Sequence, residues 1–257
     1  MIRNYPGHTP RIYYDGEAGI SVENSDHIEI RGFEIQGPND QINLADALSN
    51  RLVKDNFYNG VGIDVENSEH IRITNNVVSN SPNAGIKFEN SDNIVAINNE
   101  VTKNTLYGSD GDSGITIINP SEDFGDTSSD VKIGIINNQV SENVNNVPCY
   151  KPNYDNAQFL SDNSIEIPRN DYCTEDQTYI QDGNGVAVIN HTPENYNGQV
   201  QITNNIISRN GNAGILLIGS DQADISDNTV AWNGITSKDP PSSRPDNSGI
   251  EIVDSQS

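Results

Sequence analysis

The chain has 257 residues with 14 basic and 37 acidic side chains, a formal charge of −23 and a pI near 4.2. A field of that sign repels nucleic acid and anionic membrane surfaces and argues against both as partners; no apolar run is long enough to span a bilayer. Hydrophobic residues make up only 33% and aromatics 6%, low for a globule, so order has to come from their placement.

The opening, MIRNYPGHTPRIYYDG, starts inside what reads as a coil and has no basic-then-apolar leader. The chain stops at GIEIVDSQS, a strand just begun. Solenoids need capped ends, so the expectation is one domain, 1–257, cut from a longer, secreted or cell-surface protein whose signal peptide lies outside this segment.

A glycine phrase follows. GISVEN at Gly19 recurs as GIDVEN at Gly62, GIKFEN at Gly85, GITIIN at Gly114, GVAVIN at Gly185, GILLIG at Gly214 and GIEIVD at Gly249. The shortest step is 23 residues and the longest 71, which describes a repeat whose loops absorb the insertions. Within each phrase the second and fourth residues are apolar, as in Ile20 and Val22, Ile63 and Val65, or Ile86 and Phe88. Period two means a strand with one face buried. The second half of each unit repeats the alternation, as in Ile28 and Ile30 or Ile71 and Ile73. Helical periodicity is confined to NLADALSNR at 43–51.

Two asparagine columns accompany the strands. Asn76, Asn99, Asn138, Asn205 and Asn228 each precede an apolar residue by two positions, and identical side chains on stacked rungs can form a hydrogen-bonded ladder. Asn24, Asn67, Asn90, Asn119 and Asn190 end the glycine strands and suit left-handed turns. Together with the glycine column they predict an all-β, single-stranded right-handed parallel β-helix of about seven or more coils. Insertions at 36–60, 104–113, 143–184 and 233–248 all fall between the N-x-[VI] strand and the next glycine strand, so the long loops rise from one edge and make a groove beside the glycine sheet.

On that sheet the third and fifth residues of each phrase point away from the core. The third column reads Ser21, Asp64, Lys87, Thr116, Ala187, Leu216; the fifth reads Glu23, Glu66, Glu89, Ile118, Ile189, Ile218. Carboxylates one rung apart repel, so something is expected to offset this: Lys87, an arginine such as Arg31 or Arg72, water, or a calcium ion taking several carboxylate oxygens. The plain alternative is a solvated acidic stripe quieted by a Lys87 salt bridge. As a general base, Lys87 has to shed its proton near neutral pH, and adjacent carboxylates oppose this unless calcium or substrate neutralises them.

Asp110 and Asp112, in the glycine-rich run YGSDGDSG, are further candidate calcium ligands, with an ordinary turn as the alternative, and Tyr107 at the head of the run is a candidate substrate-binding residue. The loop 143–184 holds Cys149 and Cys173. Their bridging would close a loop of about 25 residues and contribute roughly 3 to 4 kcal/mol in the chain-entropy model, with two free thiols as the alternative. Tyr150, Tyr154, Tyr172 and Tyr179 on this loop suit stacking on sugar rings. His27 and His70 share one turn column, NSDHI and NSEHI, and read as structural; Trp232 reads as packing.

The glycine phrases, the N-N-x-V ladder and the opening IRNYPGHTPRI resemble the pectate-lyase-like superfamily of secreted β-helices across essentially the whole chain. That scaffold hosts lyases, hydrolases, epimerases and phage adhesins. A closer likeness is to polysaccharide lyase family 9, where an aspartate-bearing G-F-D-L-like strand precedes a coil carrying a lysine in G-F-K-L; GIDV at Gly62 and GIKF at Gly85 match that pair. The resemblance implies Asp64 as a calcium ligand, Lys87 as the base, and β-elimination from an extended, anionic uronate polymer, with Ca2+ as cofactor held by Asp64, Glu66, Glu89 and, further out, Glu23. A glycoside hydrolase using paired carboxylates and a non-catalytic carbohydrate-binding or adhesin module are the other classes the same face would serve.

Overall fold

The computed structural model describes residues 1–42, 60–106, 112–121, 131–145, 183–192, 196–234 and 249–253, and the backbone of 158–159 and 165–166. Among them the chain winds into a right-handed parallel β-helix whose three parallel sheets hold seven strands each. One sheet collects the glycine phrases: Ala18–Glu23, Val61–Glu66, Ile86–Glu89, Ser113–Ile118, Asn184–Ile189, Ile215–Ile218 and Ile250–Val253. The second collects the I-x-I strands, for example Glu29–Arg31, Arg72–Thr74 and Ile94–Ile97, and the third the short strands after the paired asparagines, such as Glu34–Gln36, Val77–Ser79 and Glu100–Thr102.

The period-two alternation sets the register. Ile63 pairs with Ile86 and Val65 with Phe88, and the next rung places Ile115 and Ile117 on the same lines. Ile63, Val65, Ile86, Phe88, Ile115 and Ile117 are all buried and join Ile30, Ile73 and Val101 from the other two sheets in one continuous core. A one-residue slip would turn every one of them to solvent.

Glycine heads each rung for a steric reason. A Cβ built on Gly62 would lie 2.5 Å from Gly85 O and 2.3 Å from Val78 Cγ1, and one on Gly85 would lie 2.8 Å from Gly114 O. Each coil thus approaches the next at the one residue with no side chain.

The asparagine ladder forms as expected. Asn76, Asn99, Asn138 and Asn205 are buried, and each donates its backbone N–H to the Oδ1 of the asparagine on the next rung at 2.8 to 3.0 Å. A second ladder runs parallel to it, five residues further along each coil. Ser81, Asn104, Asn143 and Asn210 donate their N–H groups to the Oδ1 of Asn104, Asn143, Asn210 and Asn233 at 2.9 to 3.1 Å. Its signature is present in NEVTKN, NQVSEN, NIISRN and NTVAWN, where asparagine recurs at i and i+5. In the turn column, Asn24, Asn67, Asn90 and Asn119 have φ between 45° and 48°, the left-handed backbone that asparagine tolerates; Asn190 is buried instead and is not left-handed.

All four long insertions leave the corner between the third sheet and the glycine sheet, as the spacing predicts: Gln36 to Val61, Thr102 to Ser113, Ser141 to Asn184, and Ala231 to Ile250. Within 143–184 the backbone forms a short antiparallel pair, Gln158–Phe159 with Ile165–Glu166. The helix expected at 43–51 lies outside the described residues.

Two expectations need correction. The outward positions of the glycine sheet are open or half-open on the first three coils, covered on the next three apart from half-buried Ile218, and open again on the last, where Val253 is exposed. Thr116, Ala187, Ile189 and Leu216 are buried, and Ala187, Ile189 and Leu216 pack with Ile218 into a second apolar cluster on this face. Alternation marks which face a residue takes, but not what covers that face. Trp232 is not packed inside: it is 75% exposed, with the Arg209 guanidinium 5.8 Å from its ring centroid.

Candidate functional site

The open part of the glycine sheet is where the charges gather. Ser21, Asp64, Lys87 and Thr116 lie on successive rungs of one line, and Glu23, Glu66, Glu89 and Ile118 on the next. The first two glycine coils are adjacent despite the long insertion between them, so the glutamates form an unbroken column. At about 4.8 Å between strands each neighbouring pair repels by roughly 1 to 3 kcal/mol for effective dielectrics of 80 to 20. Lys87 offsets this at one end: its Nζ lies 2.7 Å from Glu89 Oε2, with the two side chains 18% and 31% exposed.

Asp64 is the strained member of the cluster. Its Oδ1 is buried and accepts no hydrogen bond. Burial pushes the carboxyl up to about 6; Lys87 opposes this, and Glu66, Glu89 and Glu23 add to it. The Tyr14 hydroxyl and Ser81 Oγ are buried close to one another, with Tyr14 near enough to Asp64 to feel its charge. Burial, with Asp64 adding and Ser81 opposing, raises the Tyr14 pKa. Neither residue is marked in the sequence, because Tyr14 precedes the first glycine phrase and Ser81 stands where other coils carry the second asparagine ladder.

Lys87 is held above the ordinary lysine value. Burial pulls it down, but Asp112, the hydrogen bond to Glu89, and Asp64 together outweigh that. Asp112 is almost fully buried, and the glycine-rich run brings this aspartate into the surroundings of Lys87. Glu23 is exposed at the outer end of the column. Asp110, Tyr107, Tyr150, Tyr154, Tyr172, Tyr179, Cys149 and Cys173 lie outside the described residues.

The raised Asp64 carboxyl makes a stability prediction with a definite sign. Because its folded pKa exceeds the ordinary 3.8, the native state binds the extra proton and the contribution is fully present below pH 4. It fades as pH rises through about 6. Ionised Asp64 therefore costs the fold up to about 3 kcal/mol at pH 7. Asp64→Asn is expected to melt above the wild type at pH 7, with the difference closing below pH 4, as read from thermal melts across that range. An equal offset at all pH values would refute the assignment.

The donor types are those a hard divalent cation takes, with Asp64 Oδ1 lacking a hydrogen-bond partner, Glu66 on the same strand and Glu23 on the rung before, but no three of the carboxylates of Asp64, Glu66, Glu89 and Glu23 converge within 4.8 Å, so holding an ion there requires their side chains to turn inward.

Residues 10–124 match the family model described as a right handed beta helix region. The matched segment spans the first four glycine strands and thus the whole Asp64–Lys87 cluster. Searches of curated proteins and of solved structures found no match. Among the described residues no helix is long and apolar enough to cross a membrane.

Proposed function

We propose that this β-helix is a secreted, carbohydrate-active protein, a calcium-assisted polysaccharide lyase that cleaves a uronate polymer by β-elimination. One observation carries the reading: Asp64, with a buried carboxylate oxygen that has no partner, stands directly across the rung from Lys87 on the open part of the glycine sheet. Likeness to the pectate-lyase-like superfamily, and to family 9 in the GIDV and GIKF pair, supports it.

Asp64, Glu66 and Glu89 would hold calcium, with Glu23 further out. Bound there, calcium would pair with the substrate carboxylate and acidify the proton at C5. In the free protein Lys87 keeps its proton, because Asp112, Glu89 and Asp64 favour the ammonium. A cation held by the neighbouring carboxylates would weaken that bias, and Lys87 would then be the residue placed to accept the C5 proton. Elimination would then break the C4–O bond, leaving a double bond between C4 and C5, with the departing glycosidic oxygen protonated by water. Thr116 and the apolar rungs beyond it bound the open face.

A second reading has its own observation. A carboxyl at about 6 suits a general acid, and a carboxylate on an adjoining rung would complete the pair that a glycoside hydrolase needs. Product chemistry separates the two.

The test is incubation with a panel of uronate and neutral polysaccharides, with and without a chelator. The lyase reading expects absorbance from unsaturated ends on a uronate polymer, abolished by the chelator and restored by Ca2+. Saturated reducing ends instead would establish the hydrolase, and binding without product would leave a carbohydrate-binding module.

A further inference from the structure

The turn that follows the first two glycine strands carries a different chemistry. Asp26 and Glu69 face each other across a rung bridge, as do Glu69 and Asp92. The residue after each is left-handed: His27, His70 and Asn93, at φ 57°, 52° and 51°. Asn93 shows that the backbone asks only for a residue tolerating this conformation, so the turn itself does not require histidine at the other two positions.

What the histidines add is a convergent set of ligands. Their rings stack with centroids 4.5 Å apart and planes 17° from parallel. Asp26 reaches both, with Oδ2 2.7 Å from His27 Nδ1 and Oδ1 2.9 Å from His70 Nδ1. One ligand atom from each of the three residues lies within 4.8 Å of the others. The next coil is built otherwise: Asp92 is buried and accepts hydrogen bonds from the Tyr196 hydroxyl and Asn93 Nδ2.

We propose that Asp26, His27 and His70 form a binding site for a borderline-soft divalent cation of the Zn2+ class, separate from the carboxylate cluster on the glycine sheet. Two imidazole nitrogens with one carboxylate is a donor set that favours Zn2+ or Cu2+ over Ca2+, which takes oxygen ligands. Zinc bonds of about 2.0 to 2.2 Å at a tetrahedral angle separate nitrogen from oxygen by about 3.3 Å. The present N···O distances, one to each carboxylate oxygen, are therefore short by about half an ångström, and the stacked rings have to turn out of parallel for both nitrogens to face one ion. The side chains of Asp26, His27 and His70 are 58%, 74% and 47% exposed and can open by that amount. On binding, each ring proton moves from Nδ1 to Nε2 at the solvent side, so neutral imidazoles lose no proton. Water completes the coordination, and the strongly acidic surface concentrates cations nearby.

The experiment is a calorimetric titration of the full chain with ZnCl2 at pH 7 in excess CaCl2, with ring nitrogen NMR shifts of the four histidines as a second readout. His27→Asn and His70→Asn keep the left-handed turn, because asparagine already serves at position 93. The wild type is expected to bind one equivalent of Zn2+ with His27 and His70 shifting together. Each of the two substitutions should weaken binding at least about 10- to 100-fold, while His8→Asn leaves it unchanged. No saturable binding, binding that survives either substitution, or loss only with His8→Asn overturns the site.

Discussion

Lys87→Ala is expected to lower the rate of polymer cleavage by about 10²- to 10⁴-fold, the usual contribution of a positioned acid or base, and to leave the coil folded. The same outward column holds a fully buried alanine at Ala187, so the rung accommodates the smaller side chain. The informative partner is Lys87→Arg. A guanidinium keeps the positive charge beside Glu89 and Asp112 but does not release its proton near neutral pH. If Lys87 removes the C5 proton, the arginine variant is nearly as slow as the alanine variant. If Lys87 only balances Glu89, now 2.7 Å away, arginine restores most of the rate. Recovery to more than about a third of wild-type kcat would end the case for Lys87 as the base.

Asn99→Ala should be among the most damaging single changes outside the site. Asn99 Oδ1 accepts hydrogen bonds from Asn76 N at 3.0 Å and Asn76 Nδ2 at 3.2 Å, while its own Nδ2 donates to Ile73 O at 2.9 Å. Asn99 is 2% exposed and Asn76 1%, so little water can replace those partners. Leaving a buried polar group unpaired costs about 1 to 3 kcal/mol, which for two orphaned groups sums to about 2 to 6 kcal/mol. Whole domains are stable by only about 5 to 15 kcal/mol. Expected, then, is a large fall in the thermal or urea midpoint, with the coils around Asn99 opening before the rest, since a solenoid contacts only its neighbours. A loss under about 1 kcal/mol would mean that the ladder is ornamental. Hydrogen exchange at Asn76 and Asn99 amides would show where opening begins.

The two cases differ in how visible they were beforehand. Asn76, Asn99 and Asn138 announce their ladder by recurring at one place in each unit. The parallel ladder through Asn104, Asn143 and Asn210 is equally periodic, but its asparagines sit among variable neighbours and its first rung is Ser81, so the column is broken where the repeat is otherwise clearest. Asp64 and Lys87 are legible as rung neighbours because alternation forces both out of the core. Their energetics are not legible. Asp64 owes its raised pKa to burial, and Lys87 is influenced by Asp112, which comes from another coil and enters through a glycine-rich run.

Read alone, the sequence determined the coil: the glycine column, the period-two core and the asparagine rungs repeat often enough that one register buries the inward apolar column of all but the end coils and satisfies both ladders. Tertiary structure decided what that register leaves accessible. Whether an outward residue is open, as Glu23 is, or covered, as Leu216 and Ala187 are, depends on atoms distant in the chain. So does the stacking of His27 on His70 against a single carboxylate, two side chains 43 positions apart whose meeting follows from the coils lying side by side. Periodicity states which way a side chain faces; only packing states what it meets there.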